Sequence, residues 1–185
     1  MLENRDREKT AAMVVALSGS PSALSRTEPI LHAMLERIGA QTGAQTHAVR
    51  LADLVPDLGI RSRSEALPRV EEALRRVESC DLLLVGLPVY NGSYPGLFKH
   101  FIDLLSYTAL RGTPVGLVAT GGSDRHALVV EYQLRPLFAF FGAKTLATAV
   151  FVSDSTIVGG TVSEPSVSAR LDRLLVEAVQ ELTRA

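Results

Sequence analysis

The feature that most constrains this chain is an alternation. Four short apolar runs, "AAMVVALS" (11–18), "DLLLVGLPV" (81–89), "TPVGLVAT" (113–120) and "TLATAVFV" (145–152), are separated by segments with helical period. A strand wet on one face reads apolar, polar, apolar. These runs do not, so both of their faces are buried, as in a parallel sheet covered by helices. A weaker strand, "QTHAVRLADL" (45–54), takes its signal from Ala48, Val49 and Leu51 and fits a place near an edge.

The intervening segments are amphipathic. In "TEPILHAMLERIGAQTG", Ile30, Leu31, Met34, Leu35 and Ile38 recur at spacings of three and four, and Gly39 or Gly43 can end the helix. "SEALPRVEEALRRVESC" aligns Val70, Ala73, Leu74 and Val77, and "YPGLFKHFIDLLSY" aligns Leu97, Phe98, Phe101, Ile102 and Leu105. "RHALVVEYQLRPLFAFFGA" is helical but crossed by Pro136, which predicts a kink or break. "SEPSVSARLDRLLVEAVQELTRA" offers Ser163 or Ser166 as a cap and stays amphipathic to the end. Five strands alternating with five helices predict an α/β, doubly wound, five-stranded parallel sheet with helices on both faces. The predicted strand order is the flavodoxin-like 2-1-3-4-5. The 185 residues divide into a tail, 1–10, and a single domain, 11–185; residues 57–68 read as a surface loop.

Composition removes several functions. A net charge of −1 gives no bulk field for nucleic acid or an anionic membrane. No apolar run nears the roughly 20 residues of a membrane-spanning helix, and "MLENRDREKT" is no secretory signal. The one cysteine, Cys80, cannot form an intramolecular disulfide and reads as a packed residue in a reducing, cytoplasmic setting. His32, His47 and His100 are scattered, so no metal site is predicted, and neither a paired-acid constellation nor a G-x-S-x-G elbow occurs.

In such a sheet, ligands sit beyond the carboxyl ends of the strands, where the order reverses. Three loops fall there: "SGSPSALSRT", "PVYNGSYPG" and "TGGSDRH". In the first, Ser18, Ser20, Ser22, Ser25 and Thr27 supply hydroxyls, Arg26 a charge, and Gly19 a close backbone approach. The following helix adds free N–H groups and a positive dipole end. With neither a Walker lysine nor G-x-G-x-x-G, the loop suits a monophosphate, or else is a serine-rich capped turn. In the second, Pro88, Val89, Tyr90, Asn91, Gly92 and Ser93 offer backbone groups to a planar heterocycle; Tyr90 and Tyr94 either flank it or pack on helices. In the third, Thr120, Gly121, Gly122 and Ser123 precede a second helix start able to meet an electron-rich ring edge. Arg125 and His126 lie in its first turn, where His126 would be neutral and could donate to a ligand.

Together these loops resemble the NAD(P)H-dependent FMN reductases of flavodoxin-like fold. The nearest likeness is to the branch serving alkanesulfonate monooxygenases in sulfur assimilation. It runs over residues 12–156 and rests on "SGSPSALSRT", "PVYNGSYPGLFKHFIDLL" and "ATGGSDRHALVVEYQLRPLFAFFGA". The resemblance implies FMN phosphate at Ser18, Ser20, Ser25, Arg26 and Thr27. It implies the isoalloxazine and ribityl region at residues 88–93, and the pyrimidine edge at Thr120, Gly121, Gly122 and Ser123. Where many relatives carry arginine this chain has Ser22, which shifts phosphate neutralisation to Arg26 and the helix end. Tyr132 matches a tyrosine that, in some members, sits on a residue inserted into a helix, bulging it at a tetramer interface.

The implied reaction is hydride transfer from NADH or NADPH to FMN, with the flavin and no protein residue carrying the chemistry. Reduced FMN would pass to a flavin-dependent monooxygenase, and a homodimer or homotetramer is implied. Arg125 or Arg111 could meet an NADPH 2′-phosphate. The rivals are a flavin-bound quinone or azo-dye reductase and a flavodoxin electron carrier; near-neutral charge counts against the latter. A phosphoacceptor receiver domain would need acids where "SGS" and "PVY" stand.

Overall fold

The computed structural model describes residues 11–184. The predicted tail, 1–10, lies outside them. The strands β1 (Met13–Ser18), β2 (Gln45–Arg50), β3 (Leu82–Pro88), β4 (Pro114–Gly121) and β5 (Lys144–Ser153) form one parallel sheet in the order β2-β1-β3-β4-β5. This is the predicted flavodoxin-like order. The reversal after β1 brings the carboxyl ends of β1, β3 and β4 side by side.

Burial explains the unbroken apolar runs. Along β1, Val15 and Leu17 join one core, while Val14 and Ala16 join the other. The first core is closed by α3 (Pro68–Ser79) and α4 (Gly96–Asp103), through Val70, Leu74, Val77, Phe98, Phe101 and Ile102. The second is closed by α1 (Thr27–Thr42) and α6 (Pro165–Arg184), through Ile30, Leu31, Ile38, Leu171 and Leu174. Gly43, left-handed at φ 71°, ends α1 with its N–H on Gly39 O, as the sequence allowed.

Several local expectations are corrected. The second strand ends at Arg50, and Leu51–Leu54 forms a helical turn, α2, because Leu51 and Leu54 point into the core at a spacing of three. Leu97, expected inside, is partly exposed, and α4 stops at Asp103. Neither Ser163 nor Ser166 caps α6. Ser163 Oγ donates to Thr156 O, and Ser166 lies inside the helix, which starts at Pro165. The "surface loop" at 57–68 contains a 3-10 turn (Arg63–Glu65) and the buried Leu58, and Arg63 ties it to α3 through Glu71 and Glu78. A short hairpin, β6 (Ile157–Val158) and β7 (Thr161–Val162), is present that no sequence period announces.

The fourth helical segment departs most. It opens with a 3-10 turn (Asp124–His126), widens into a π segment (Val130–Leu134), and becomes α-helical only in α5 (Arg135–Phe140). Arg135 N donates to Val130 O, five residues back. Pro136 has no N–H for the carbonyl four residues before it, so the wider turn lies where regular bonding would fail. Arg135 braces the segment from outside. It makes a two-pronged pair with Glu131 and donates to Thr145 Oγ1 and Leu146 O. That guanidinium holds the Glu131 carboxyl below its ordinary range and is itself raised.

Candidate functional site: three loops at the carboxyl edge of the sheet

The first loop leaves β1 under tight packing. Gly19 N donates to Gly86 O at 2.7 Å. A Cβ on Gly19 would stand 2.6 Å from Phe98 Cδ2 and 3.0 Å from Leu87 Cβ. The glycine expected to admit a ligand is therefore required by α4, and its N–H is already used. Ser18 and Ser20 are buried, and Ser20 Oγ accepts from Ser22 N and donates to Ser22 O, both at 3.2 Å. Ser25 Oγ is buried and has no hydrogen-bond partner among the described residues. An orphaned buried hydroxyl costs free energy unless something meets it.

Charge at the start of α1 is arranged in pairs. Arg26, the residue before the helix, is 62% exposed and only loosely held, its Nη1 lying 3.5 Å from Asp154 O and 3.7 Å from Asp154 Oδ2. Glu28, in the first turn, would oppose an anion there. Arg50, at the end of β2, lies 2.6 Å from its Oε1 and so neutralises it. Among the described residues at this helix start, Arg26 is thus left as the cation available to a phosphate. Arg50 and Asp154 were not expected here, because both come from distant parts of the chain.

The second loop is a tight turn. Asn91 (φ 51°) and Gly92 (φ 82°) are both left-handed, as an Asn-Gly type I′ turn requires. Tyr90 N donates to Ser93 O at 2.8 Å, and Ser93 N to Tyr90 O at 3.0 Å. Among the described residues, the central N–H groups of Asn91 and Gly92 have no acceptor, and nothing stands within 4 Å of the place of a Gly92 Cβ. Tyr94 packs on Phe98, ring centroids 6.0 Å apart, whereas Tyr90 is 43% exposed beside the turn. That resolves the two tyrosines differently.

The third loop is joined to both others. Thr120 Oγ1 lies 2.7 Å from Thr27 Oγ1, both buried, and Thr120 O accepts from Val89 N at 2.7 Å. Gly121 packs under Phe151, while Gly122 faces open space. Ser123 Oγ accepts from Arg125 N, and Ser123 O from His126 N. The helix start expected here is only the 3-10 turn, so it supplies local N–H groups and no long helix dipole. Arg125 is exposed and His126 half-buried. Tyr132 is 74% exposed on the π segment, and its neighbour Gln133 turns inward onto the second loop. Gln133 was not anticipated; its signal was the helix-disrupting Pro136 three residues on.

The predicted site residues therefore form one cluster, with Arg125 and Tyr132 at its outer side. A concavity of about 460 Å³, lined by His47, Glu72, Arg75 and Arg76 among others, opens instead by Met13, the first residue of β1. That is the end of the strands where such sheets do not bind ligands, and its charges pair with one another. The donor set at the carboxyl edge fits FMN. It offers an unpartnered hydroxyl, a loosely held arginine and a helix start for a terminal phosphate, and free amides with an open glycine face for a flat ring.

A sheet of this order with such loops belongs to the flavodoxin-like FMN-dependent oxidoreductases. Residues 12–157 match the family described as NADPH-dependent FMN reductase. The chain is 46% identical over 164 residues to an NADH-dependent FMN reductase, SfnF, of Pseudomonas putida, covering 88% of each. It is 42% identical over 170 residues to an FMN reductase (NADPH) of Pseudomonas aeruginosa, covering 91% of each. A crystal structure of an NADH:FMN oxidoreductase, EmoB, in its apo form superposes with a TM-score of 0.84 at 30% identity, over 92% of this chain and 89% of that one. The chain belongs to the NADPH-dependent FMN reductase family, and its activity is reduction of FMN by NADH or NADPH.

Proposed function

We propose that the three loops are the FMN site and that the reduced FMN is delivered to a two-component, flavin-dependent monooxygenase of the sulfonate-assimilating kind. Phosphate is assigned to Ser18, Ser20, Ser25, Arg26 and the start of α1 at Thr27. The ring and ribityl chain are assigned to residues 88–93, and the pyrimidine edge to Thr120, Gly121, Gly122 and Ser123. The observation that carries the assignment is the unpartnered, buried Ser25 Oγ beside the loosely held Arg26. The chemistry FMN supplies is acceptance of a hydride from the nicotinamide at its N5. The chain's part is to hold the phosphate, orient the ring and leave room for the nicotinamide; Arg125, His126 and Tyr132 border that room. The choice of recipient rests on the resemblance carried by the loop motifs. We further infer one FMN-binding domain, 11–185, a cytoplasmic location and a homo-oligomer. Among the described residues no helix is long and apolar enough to cross a membrane.

The test is oxidation of NADH and of NADPH followed by absorbance, with FMN added, and then with sulfonate monooxygenase and an alkanesulfonate present. FMN-dependent oxidation that supports sulfonate cleavage is expected. Oxidation that proceeds only with a quinone or azo dye would overturn the proposed recipient. Arg26→Ala should weaken FMN binding and leave binding of riboflavin, which lacks the phosphate, unchanged. Equal loss for both would remove Arg26 from the phosphate position.

A further inference from the structure

We propose that Gln133 is a positioning residue for flavin, holding the Tyr90–Ser93 turn in the geometry that meets the ring. This rests on the assignment of that turn to FMN. The turn has little else to hold its tip. Its base is fixed by Val89 N on Thr120 O, and its two cross-turn bonds are internal. Among the described residues, nothing stands within 4 Å of the place of a Gly92 Cβ. Among the described residues, Gln133 is the side chain that bonds to the tip: Nε2 donates to Gly92 O at 3.2 Å, and Oε1 accepts from Ser93 Oγ.

The pairing fixes proton directions. With the amide flipped, Oε1 would face the Gly92 carbonyl, two acceptors in opposition, so Gly92 O selects the observed orientation. Oε1 then takes the Ser93 hydroxyl proton, and Ser93 Oγ is left as an acceptor towards a ligand. The turn thus presents two unspent N–H donors, Asn91 and Gly92, and one acceptor oxygen. Ring acceptors and a hydroxyl donor, as a flavin ring and its ribityl chain carry, are the complement.

The π segment supplies the reach. Its widened turn keeps Tyr132 outward while Gln133 points to the turn and Leu134 remains in the core. The Arg135–Glu131 brace and the bonds from Arg135 to β5 hold that register, so Gln133 reaches the loop from an anchored base.

The experiment titrates FMN and riboflavin, by fluorescence and visible spectrum, into the full chain carrying Gln133→Ala, Gln133→Glu, Ser93→Ala or Arg26→Ala. Gln133→Ala breaks two neutral hydrogen bonds and should raise Kd about tenfold, about 1.4 kcal/mol, and by the same factor for both flavins. Ser93→Ala breaks one and should cost less; combined with Gln133→Ala it should add little, because both act on one contact. Gln133→Glu keeps the Ser93 acceptor but opposes Gly92 O. It should weaken both flavins and lower the midpoint potential of bound FMN, because a carboxylate near the ring opposes the charge gained on reduction. A residue that only stabilised the fold would leave that potential in place. Should Gln133→Ala fail to fold, the potential of Gln133→Glu carries the test. If Arg26→Ala weakens FMN alone while the Gln133 variants keep both Kd values and the potential of the parent, the role of Gln133 is refuted and the site stands. If the Arg26 and Gln133 variants all bind as the parent does, the site assignment itself fails.

Discussion

Gly19→Ala separates two readings of the first loop. If Gly19 is needed for close approach of a ligand, a methyl group there should impair FMN binding and leave the fold intact. The structure points elsewhere, since the added carbon would lie 2.6 Å from Phe98 Cδ2, 3.0 Å from Leu87 Cβ and 3.2 Å from Phe98 Cε2. Carbon atoms in contact sit at about 3.5–4.0 Å, so the first overlap is roughly 1 Å. Phe98 is fully buried and cannot swing into solvent, so α4 or the start of the loop must shift. Overpacking of this kind costs about 1–3 kcal/mol. For a domain of this length that is about 2–12 °C in melting temperature, at roughly 2–4 °C per kcal/mol. Chemical denaturation should show a lower midpoint with an unchanged slope. Phe98→Leu removes the offending ring atoms, so the double variant should be more stable than the sum of the singles by about 1 kcal/mol. A Gly19→Ala protein that melts within 1 °C of the parent yet binds FMN ten times more weakly would refute the packing argument and restore the ligand reading.

Three further outcomes follow from the charges and the thiol. Arg50→Ala uncovers Glu28 in the first turn of α1, so it should weaken FMN but not riboflavin, with the difference shrinking as salt rises; equal titrations at low salt would contradict this. In acid, the Arg63 guanidinium holds the Glu71 carboxyl below its ordinary range. For Glu78, burial pushes upward but is outweighed by bonds from Arg63 and Ser106, and the net shift is down. Carboxyls depressed in the fold contribute stability that is complete above their unfolded value of about 4.3 and lost as pH falls through the folded values. Arg63→Gln should therefore lower the melting temperature at neutral pH and narrow its gap from the parent below about pH 4; a gap that is the same at both would exclude the linkage. Burial, with Asp81 adding to it, pushes the Cys80 thiol up to about 12, so the native protein should resist aromatic disulfide reagents at pH 8 and react once unfolded.

The sheet was legible because its information is local. Each β1, β3 and β4 run is apolar without alternation, and the structure buries both faces of each; 2-1-3-4-5 then follows from chain order and the loop chemistry. Boundaries were less legible where two patterns compete. Leu51 and Leu54 read as a continuing strand, yet a spacing of three also suits a helical turn, and packing chose the turn. The two-residue strands at Ile157 and Thr161 are too short to carry any period.

The candidate site divides along the same line. Loop composition made the hydroxyls, Gly92 and the paired glycines visible, because each is a local requirement of backbone shape or donor supply; the left-handed Asn91 beside Gly92 came from the structure. What decides whether those groups are available came from pairings across the fold: Arg50 on Glu28, Asp154 near Arg26, Thr27 on Thr120, Phe98 under Gly19 and Gln133 on Ser93. Arg50 adds no charge to the position we propose for the phosphate but cancels Glu28, which would oppose an anion there. In the proposed site the phosphate therefore rests on the loosely tethered Arg26, the Ser25 hydroxyl and the start of α1. If the proposed site is right, removing Arg26 should cost most of the charge that meets the phosphate, since among the described residues at the start of α1 Arg50 is already paired with Glu28.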